Sequence, residues 1–144
     1  MHYLDTSVLV ATLFNEAASP RVRAWLGAQA AASLAISDWT LTEMSSALAL
    51  RVRTAQITME QRAAALARFN RLVAENLIVL PVTGGQFRTA ARFVDQHRLG
   101  LRAGDALHLA VAAEHGALVQ TLDRRLADAG PALGVPVELT AAAP

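Results

Sequence analysis

Short apolar runs alternate along this chain with longer segments of helical spacing, and that alternation leaves few folds open. Residues 2–5 (His2-Tyr3-Leu4-Asp5), 33–37, 77–82 and 117–122 read as strands, and 136–139 reads as a final edge strand. Between them the sequence predicts helices over 6–14, from Pro20 at N1 to about residue 29, and over 38–53, where Leu41, Met44, Leu48 and Val52 share a face. Further helices are predicted over 58–76, opened by a Thr58-Met59-Glu60-Gln61 capping box, and over 85–98. Two more follow, over 102–115 with Gly116 at the C′ position, and over 124–129. Strand and helix taking turns in this way predict an α/β fold with a mostly parallel sheet covered on both faces.

Four acids punctuate this pattern. Asp5 and Asp123 close apolar strands, while Glu43 and Asp105 fall in or at the start of helical segments. Each has a local explanation. Asp5, Asp105 and Asp123 stand where an aspartate caps free N–H groups and meets the positive end of a helix dipole. Glu43 could complete a capping box with Thr40, although the apolar pattern begins near Trp39 and favours Ser37 or Asp38 as the cap. Taken together the acids say more. A parallel sheet puts all its strand C-termini at one edge, which is where open α/β sheets bind their ligands. Four carboxylates gathered there repel one another unless a cation neutralises them. An all-oxygen pocket of this kind suits a hard divalent ion and predicts a metal-dependent hydrolase.

Composition narrows the alternatives. The 144 residues allow one domain, expected over 1–140 with an Ala/Pro tail at 141–144. The absence of cysteine excludes disulfides, thiolate metal sites and cysteine nucleophiles. No basic segment precedes an apolar stretch and no apolar run could span a bilayer, so a soluble cytoplasmic protein is expected. All thirteen basic residues are arginine, and with four of the twelve acids committed to one site the other eight leave a surplus of five positive charges. Arginine favours bidentate phosphate contacts, so an acidic hole in an arginine-bearing surface fits a phosphodiesterase acting on nucleic acid. The lack of any lysine counts against receiver-type and dehalogenase-type phosphotransfer, and neither phosphate-loop signature occurs.

Four segments, Asp5-Thr6-Ser7-Val8-Leu9, Leu41-Thr42-Glu43-Met44-Ser45-Ser46-Ala47-Leu48, Gly104-Asp105-Ala106-Leu107-His108-Leu109-Ala110 and Thr121-Leu122-Asp123-Arg124-Arg125-Leu126, resemble in order and spacing those of PIN-domain nucleases. The likeness spans residues 2 to about 139 and points towards the VapC-type toxins of toxin–antitoxin pairs. It implies a three-layer α/β/α sandwich and RNA cleavage dependent on Mg²⁺, with Mn²⁺ as substitute, leaving a 5′-phosphate and a 3′-hydroxyl. It also implies a homodimer and an inhibitory antitoxin protein. By motif, Asp5, Glu43, Asp105 and Asp123 become the metal-binding and catalytic acids, and Thr6 and Thr121 the hydroxyls that support them. A catalytically silent PIN-like module that docks RNA or a protein is the competing expectation.

Other residues draw weaker readings. Arg98, Arg102, Arg124 and Arg125 flank the acidic motifs and are candidates for RNA phosphates. His108, one helical turn after Asp105, reads as a half-buried packing residue. His97 and His115 read as helix ends, and Ser7 lacks a base partner to make it a nucleophile. Val22, Trp25 and Leu26 form a core-packing stripe whose exposed part would suit an antitoxin segment.

Overall fold

The structure, a computed structural model, describes residues 1–141, so the expected tail lies, apart from Ala141, outside the described residues. Among these residues five strands form one sheet: β1 (His2–Leu4), β2 (Leu34–Ser37), β3 (Ile78–Leu80), β4 (Leu118–Thr121) and β5 (Val137–Leu139). Their order is β3-β2-β1-β4-β5 and every pairing is parallel. Seven α-helices join them: α1 (Thr6–Leu13), α2 (Ser19–Gly27), α3 (Asp38–Arg53), α4 (Met59–Asn76), α5 (Gly84–Asp95), α6 (Ala103–Glu114) and α7 (Arg124–Ala132).

The strands alternate their side chains between two cores, which makes the α/β/α sandwich. Leu4, Leu34 and Ile36 face α1 to α4 and pack with Val8, Leu9, Val22, Met44, Leu48 and Phe69. Tyr3, Ala35 and Val119 face the opposite way, against Leu109 and Val111 of α6 and Leu126 of α7. This period-two division lets three- and four-residue strands suffice at the centre of the sheet, where β1, β2 and β4 are largely buried on both faces, while the edge strands β3 and β5 are partly exposed. Among the described residues, no helix is long and apolar enough to cross a membrane.

Local chemistry explains the element ends. Thr58 Oγ1 accepts from Gln61 N at 3.1 Å and Gln61 Oε1 accepts from Thr58 N at 2.8 Å, the expected capping box of α4. Gly116, with φ of 59°, ends α6 in a left-handed turn, its N–H on Ala113 O and that of Ala117 on Ala112 O. Helix α3 is capped by Ser37 rather than Asp38, and Ser37 N–H donates to Thr40 Oγ1 at 3.1 Å. Pro20 occupies the second helical position of α2, after Ser19. The helix expected over 85–98 is shorter. Gln96 leaves helical backbone with ψ of 68°, and residues His97–Leu99 form a separate 3-10 turn. Helix α7 runs three residues past expectation and carries Pro131 within its last turn.

The strand order moves outward from β1 through β2 to β3, then resumes on the other side with β4 and β5. The carboxyl end of β1 is therefore a topological switch point, the position at which such sheets open a ligand crevice. Asp5 follows β1 directly, and Asp123 lies two residues beyond β4.

Helix α3 offers a direct check of the packing. Leu48 is fully buried whereas Leu50, two residues on, is 49% exposed. Leu48→Ala should lower the unfolding free energy by about 2–5 kcal/mol in urea titrations. Leu50→Ala should change it by no more than about 0.5 kcal/mol.

Candidate metal centre

Asp5 occupies the N-cap position of α1, yet its side chain does not cap the helix. It turns inward instead and is 7% exposed. Its Oδ2 accepts from Ser7 Oγ at 2.6 Å and from Thr121 Oγ1 at 2.8 Å. Ser7 is held in turn by Leu122 N–H at 3.0 Å, and Thr121 Oγ1 also accepts from Asp123 N–H at 3.0 Å. Two hydroxyls from two elements thus saturate one oxygen and leave Oδ1 available.

Glu43 reaches the same place from α3. Its Oε2 accepts from Thr6 Oγ1 at 2.8 Å and from His108 Nε2, and that same ring nitrogen stands 3.6 Å from Asp5 Oδ1. Among the described residues Asp5, Glu43 and His108 form a group with one ligand-type atom each, all within 4.8 Å of one another. Gly104 makes room for this meeting, since a Cβ there would stand 3.0 Å from Glu43 Oε1 and 3.3 Å from the Trp39 ring. The indole N–H of Trp39 is buried beside the Glu43 carboxylate.

Asp105 and Asp123 stand further from this group. Asp105 is the third residue of α6 and its Oδ2 accepts from Arg102 N–H at 3.4 Å. Its half-buried carboxyl nevertheless feels the charges of Asp5 and Asp123. Asp123 is exposed and does cap its helix, accepting from Arg125 N–H at 2.8 Å. Of the three aspartates with an explanation as caps, Asp123 thus fits it best and Asp5 least. The expected supporting hydroxyls, Thr6 and Thr121, donate to Glu43 and Asp5 respectively. Arg98, Arg102, Arg124 and Arg125 are all exposed, and Arg98 and Arg125 line one shallow depression with Asp128.

His108, expected as a half-buried packing residue, is fully buried and paired at both ring nitrogens, Nδ1 with Tyr3 Oη at 2.7 Å. Nothing in its sequence neighbourhood marks it, because its partners lie 65 and 105 positions away. Ser7 was equally hidden, although its adjacency to the Asp5-Thr6 motif could have suggested a local hydroxyl-to-carboxylate bond.

The electrostatics are those of crowded carboxylates. Burial pushes the Asp105 pKa up, and the charges of Asp5 and Asp123 push it further, outweighing the Arg102 N–H and His108. Burial would also raise that of Glu43, but hydrogen bonds from His108 and Thr6 and the nearby ring hold it below the ordinary range. For His108, burial opposes the charged form, while Tyr3, Glu43 and Asp5 outweigh it and push the pKa up to about 10. A divalent cation fits this donor set. Two carboxylates with anchored outer oxygens face each other, and a third is destabilised by its acidic neighbours in a way that a positive ion would relieve.

Two outcomes follow for the metal-free protein. Ionising Asp105 costs folding stability wherever the pH exceeds its ordinary range, so Asp105→Asn should raise the thermal midpoint at pH 7 while keeping the Arg102 bond. An unchanged or lower midpoint would argue against repulsion at the site. His108 has a raised pKa, so its stabilisation is complete below about pH 6.5 and is lost as pH rises through about 10. Thermal midpoints measured from pH 6 to 10 should accordingly fall more steeply for the native protein than for His108→Gln.

Comparison with known proteins places the fold. No curated protein matches the chain in sequence. Among solved structures, FitAcB from Neisseria gonorrhoeae superposes with a TM-score of 0.75 at 22% identity, covering 97% of this chain and 98% of that one. VapC20 from Mycobacterium tuberculosis, described as a sarcin-ricin loop cleaving toxin, gives 0.73 at 21% identity over 90% and 95% of the two chains. VapBC-5 from the same organism, a member of the VapBC family of toxin–antitoxin systems, gives 0.60 at 29% identity over 94% and 95%. The PIN domain profile itself matches residues 2–130, spanning β1 to α7 and all four acids, and the chain belongs to the PIN domain family.

Proposed function

We propose that this protein is an endoribonuclease dependent on Mg²⁺, with Mn²⁺ as substitute, and that it acts as the toxin of a toxin–antitoxin pair. The observation that carries the reading is the convergence of Asp5 and Glu43, with Asp105 and Asp123 close by, at the carboxyl edge of a PIN-domain sheet. The similar structures give it direction, since they include a toxin described as sarcin-ricin loop cleaving, a member of the VapBC family of toxin–antitoxin systems, and DNA-bound FitAB and VapBC proteins. The partners proposed for this chain are accordingly an RNA substrate, a small antitoxin protein and a second copy of itself.

When bound, the cation supplies Lewis-acid polarisation of the scissile phosphate and lowers the pKa of a water beside it. The residues do the rest. Asp5 and Glu43 hold the ion, each with its outer oxygen pinned by hydroxyls or imidazole so that the carboxylate plane is set beforehand. Asp105, a half-buried carboxylate beside this pair, takes the proton from the attacking water. Asp123, exposed at the rim, completes the acidic edge. Arg98, Arg102, Arg124 and Arg125 carry the positive charge that draws in and orients the RNA backbone.

The decisive experiment incubates purified, antitoxin-free protein with total cellular RNA and Mn²⁺, Mg²⁺ or EDTA, beside an Asp5→Asn control. Discrete cuts that need metal are expected, with the variant slower by more than about 100-fold, beyond the range typical of outer-sphere partners. Equal cleavage by both proteins would point to a contaminant. No cleavage by folded protein under any metal would favour the silent binding module. Replacing Arg124 and Arg125 together by alanine should weaken RNA binding across all sequences and reduce its salt dependence by about one unit of slope per lost phosphate contact.

A further inference from the structure

A chain of buried polar groups lies behind Glu43. Tyr3 Oη, in the core between sheet and helices, lies 2.8 Å from Ser37 Oγ and 2.7 Å from His108 Nδ1. The other ring nitrogen of His108 meets Glu43 Oε2. Tyr3, Ser37 and His108 are all fully buried. They come from β1, the end of β2 and α6, three elements whose packing determines where α3 can hold its carboxylate.

The direction of the hydrogen bonds follows from what each group can do. An ionised carboxylate only accepts, so the proton between Nε2 and Oε2 belongs to Nε2. A protonated Nε2 has no lone pair to offer a cation. Nδ1 is satisfied by Tyr3 whether it accepts from the phenol or donates to it, because Ser37 Oγ can take the opposite role on the far side of Oη. Thr6 adds a second donor to the same oxygen of Glu43. The carboxylate is thereby oriented from behind before any ligand arrives, and the imidazole is spent on that task.

From this arrangement we infer that Tyr3 and His108 are positioning residues: the chain from Ser37 through Tyr3 and His108 aims Glu43 at the cation, and His108 is not itself a ligand despite standing within ligand range. The inference rests on the cation site proposed above, and one set of measurements separates the two. Mg²⁺ binding to the metal-free protein is measured by titration calorimetry for the native chain, Tyr3→Phe, His108→Gln and Asp5→Asn. In parallel, two-bond ¹H–¹⁵N spectra of the native protein follow the His108 ring with and without Mg²⁺.

Tyr3→Phe keeps the ring in the core and removes the hydroxyl alone, and should weaken Mg²⁺ binding about 10–100-fold, as loss of an outer-sphere partner does. His108→Gln restores an N–H donor near the position of Nε2 and should bind Mg²⁺ more tightly than Asp5→Asn does. The native ring should keep its Nε2 proton when Mg²⁺ is saturating. Native binding unchanged by Tyr3→Phe would overturn the positioning role. Loss of the Nε2 proton on Mg²⁺ addition, or a His108→Gln protein as deficient as Asp5→Asn, would make His108 a ligand. Failure of the native protein to bind would defeat the cation site itself. Should a variant not fold, the native spectra decide between strut and ligand unaided.

Discussion

Carboxylates held close together at one end of a sheet repel, and much of the local structure in this protein serves to keep them there. Coulomb repulsion between unit charges a few ångströms apart is worth about 1 kcal/mol in water and about 4 kcal/mol near a protein surface. No single hydrogen bond offsets that comfortably, which is why Asp5 and Glu43 each receive two donors on one oxygen. The donors come from α1, β4 and α6, so the site draws on the sheet and on both of its flanking layers. The PIN fold here works as a brace as much as a container.

Much of this was legible in the sequence, for physical reasons that can be named. Strands buried on both faces must be apolar throughout, so Leu34-Ala35-Ile36 and Leu118-Val119 stand out even at three or four residues. Acids ending such runs interrupt the pattern and are conspicuous for the same reason. Helix α3 showed its inward face through Met44 and Leu48 at a spacing of four. Where sequence reading fell short, two local preferences were evenly matched. Gln96 could have continued α5, and only the backbone shows that it does not. Pro131 looks like a stop but is tolerated in the final turn of α7.

His108 was illegible for a different reason. On α6 it is flanked by Leu107 and Leu109, and a histidine in an apolar run reads as packing because its neighbours in sequence are packing. What makes it polar in function is the meeting of a phenol from β1 with a carboxylate from α3, neither of which leaves a periodic trace. Periodicity reports which way a side chain faces, and His108 does face the core. It cannot report that the core at that point contains Tyr3 Oη and Ser37 Oγ. Polar networks assembled from distant segments are in general invisible to patterns that sum over a window.

The four acids also differ in burial, and the gradient orders their roles. Asp5 is buried and doubly anchored, Glu43 and Asp105 are half-buried, and Asp123 is exposed and occupied in capping α7. An anchored carboxylate presents fixed geometry to an ion and loses little entropy on binding it. An exposed one is solvated already and gains less from neutralisation, because water screens its charge. Affinity for a cation should therefore be concentrated at Asp5 and Glu43. Asp123 then contributes mainly to the negative potential that draws an ion in, and that contribution fades as added salt screens it.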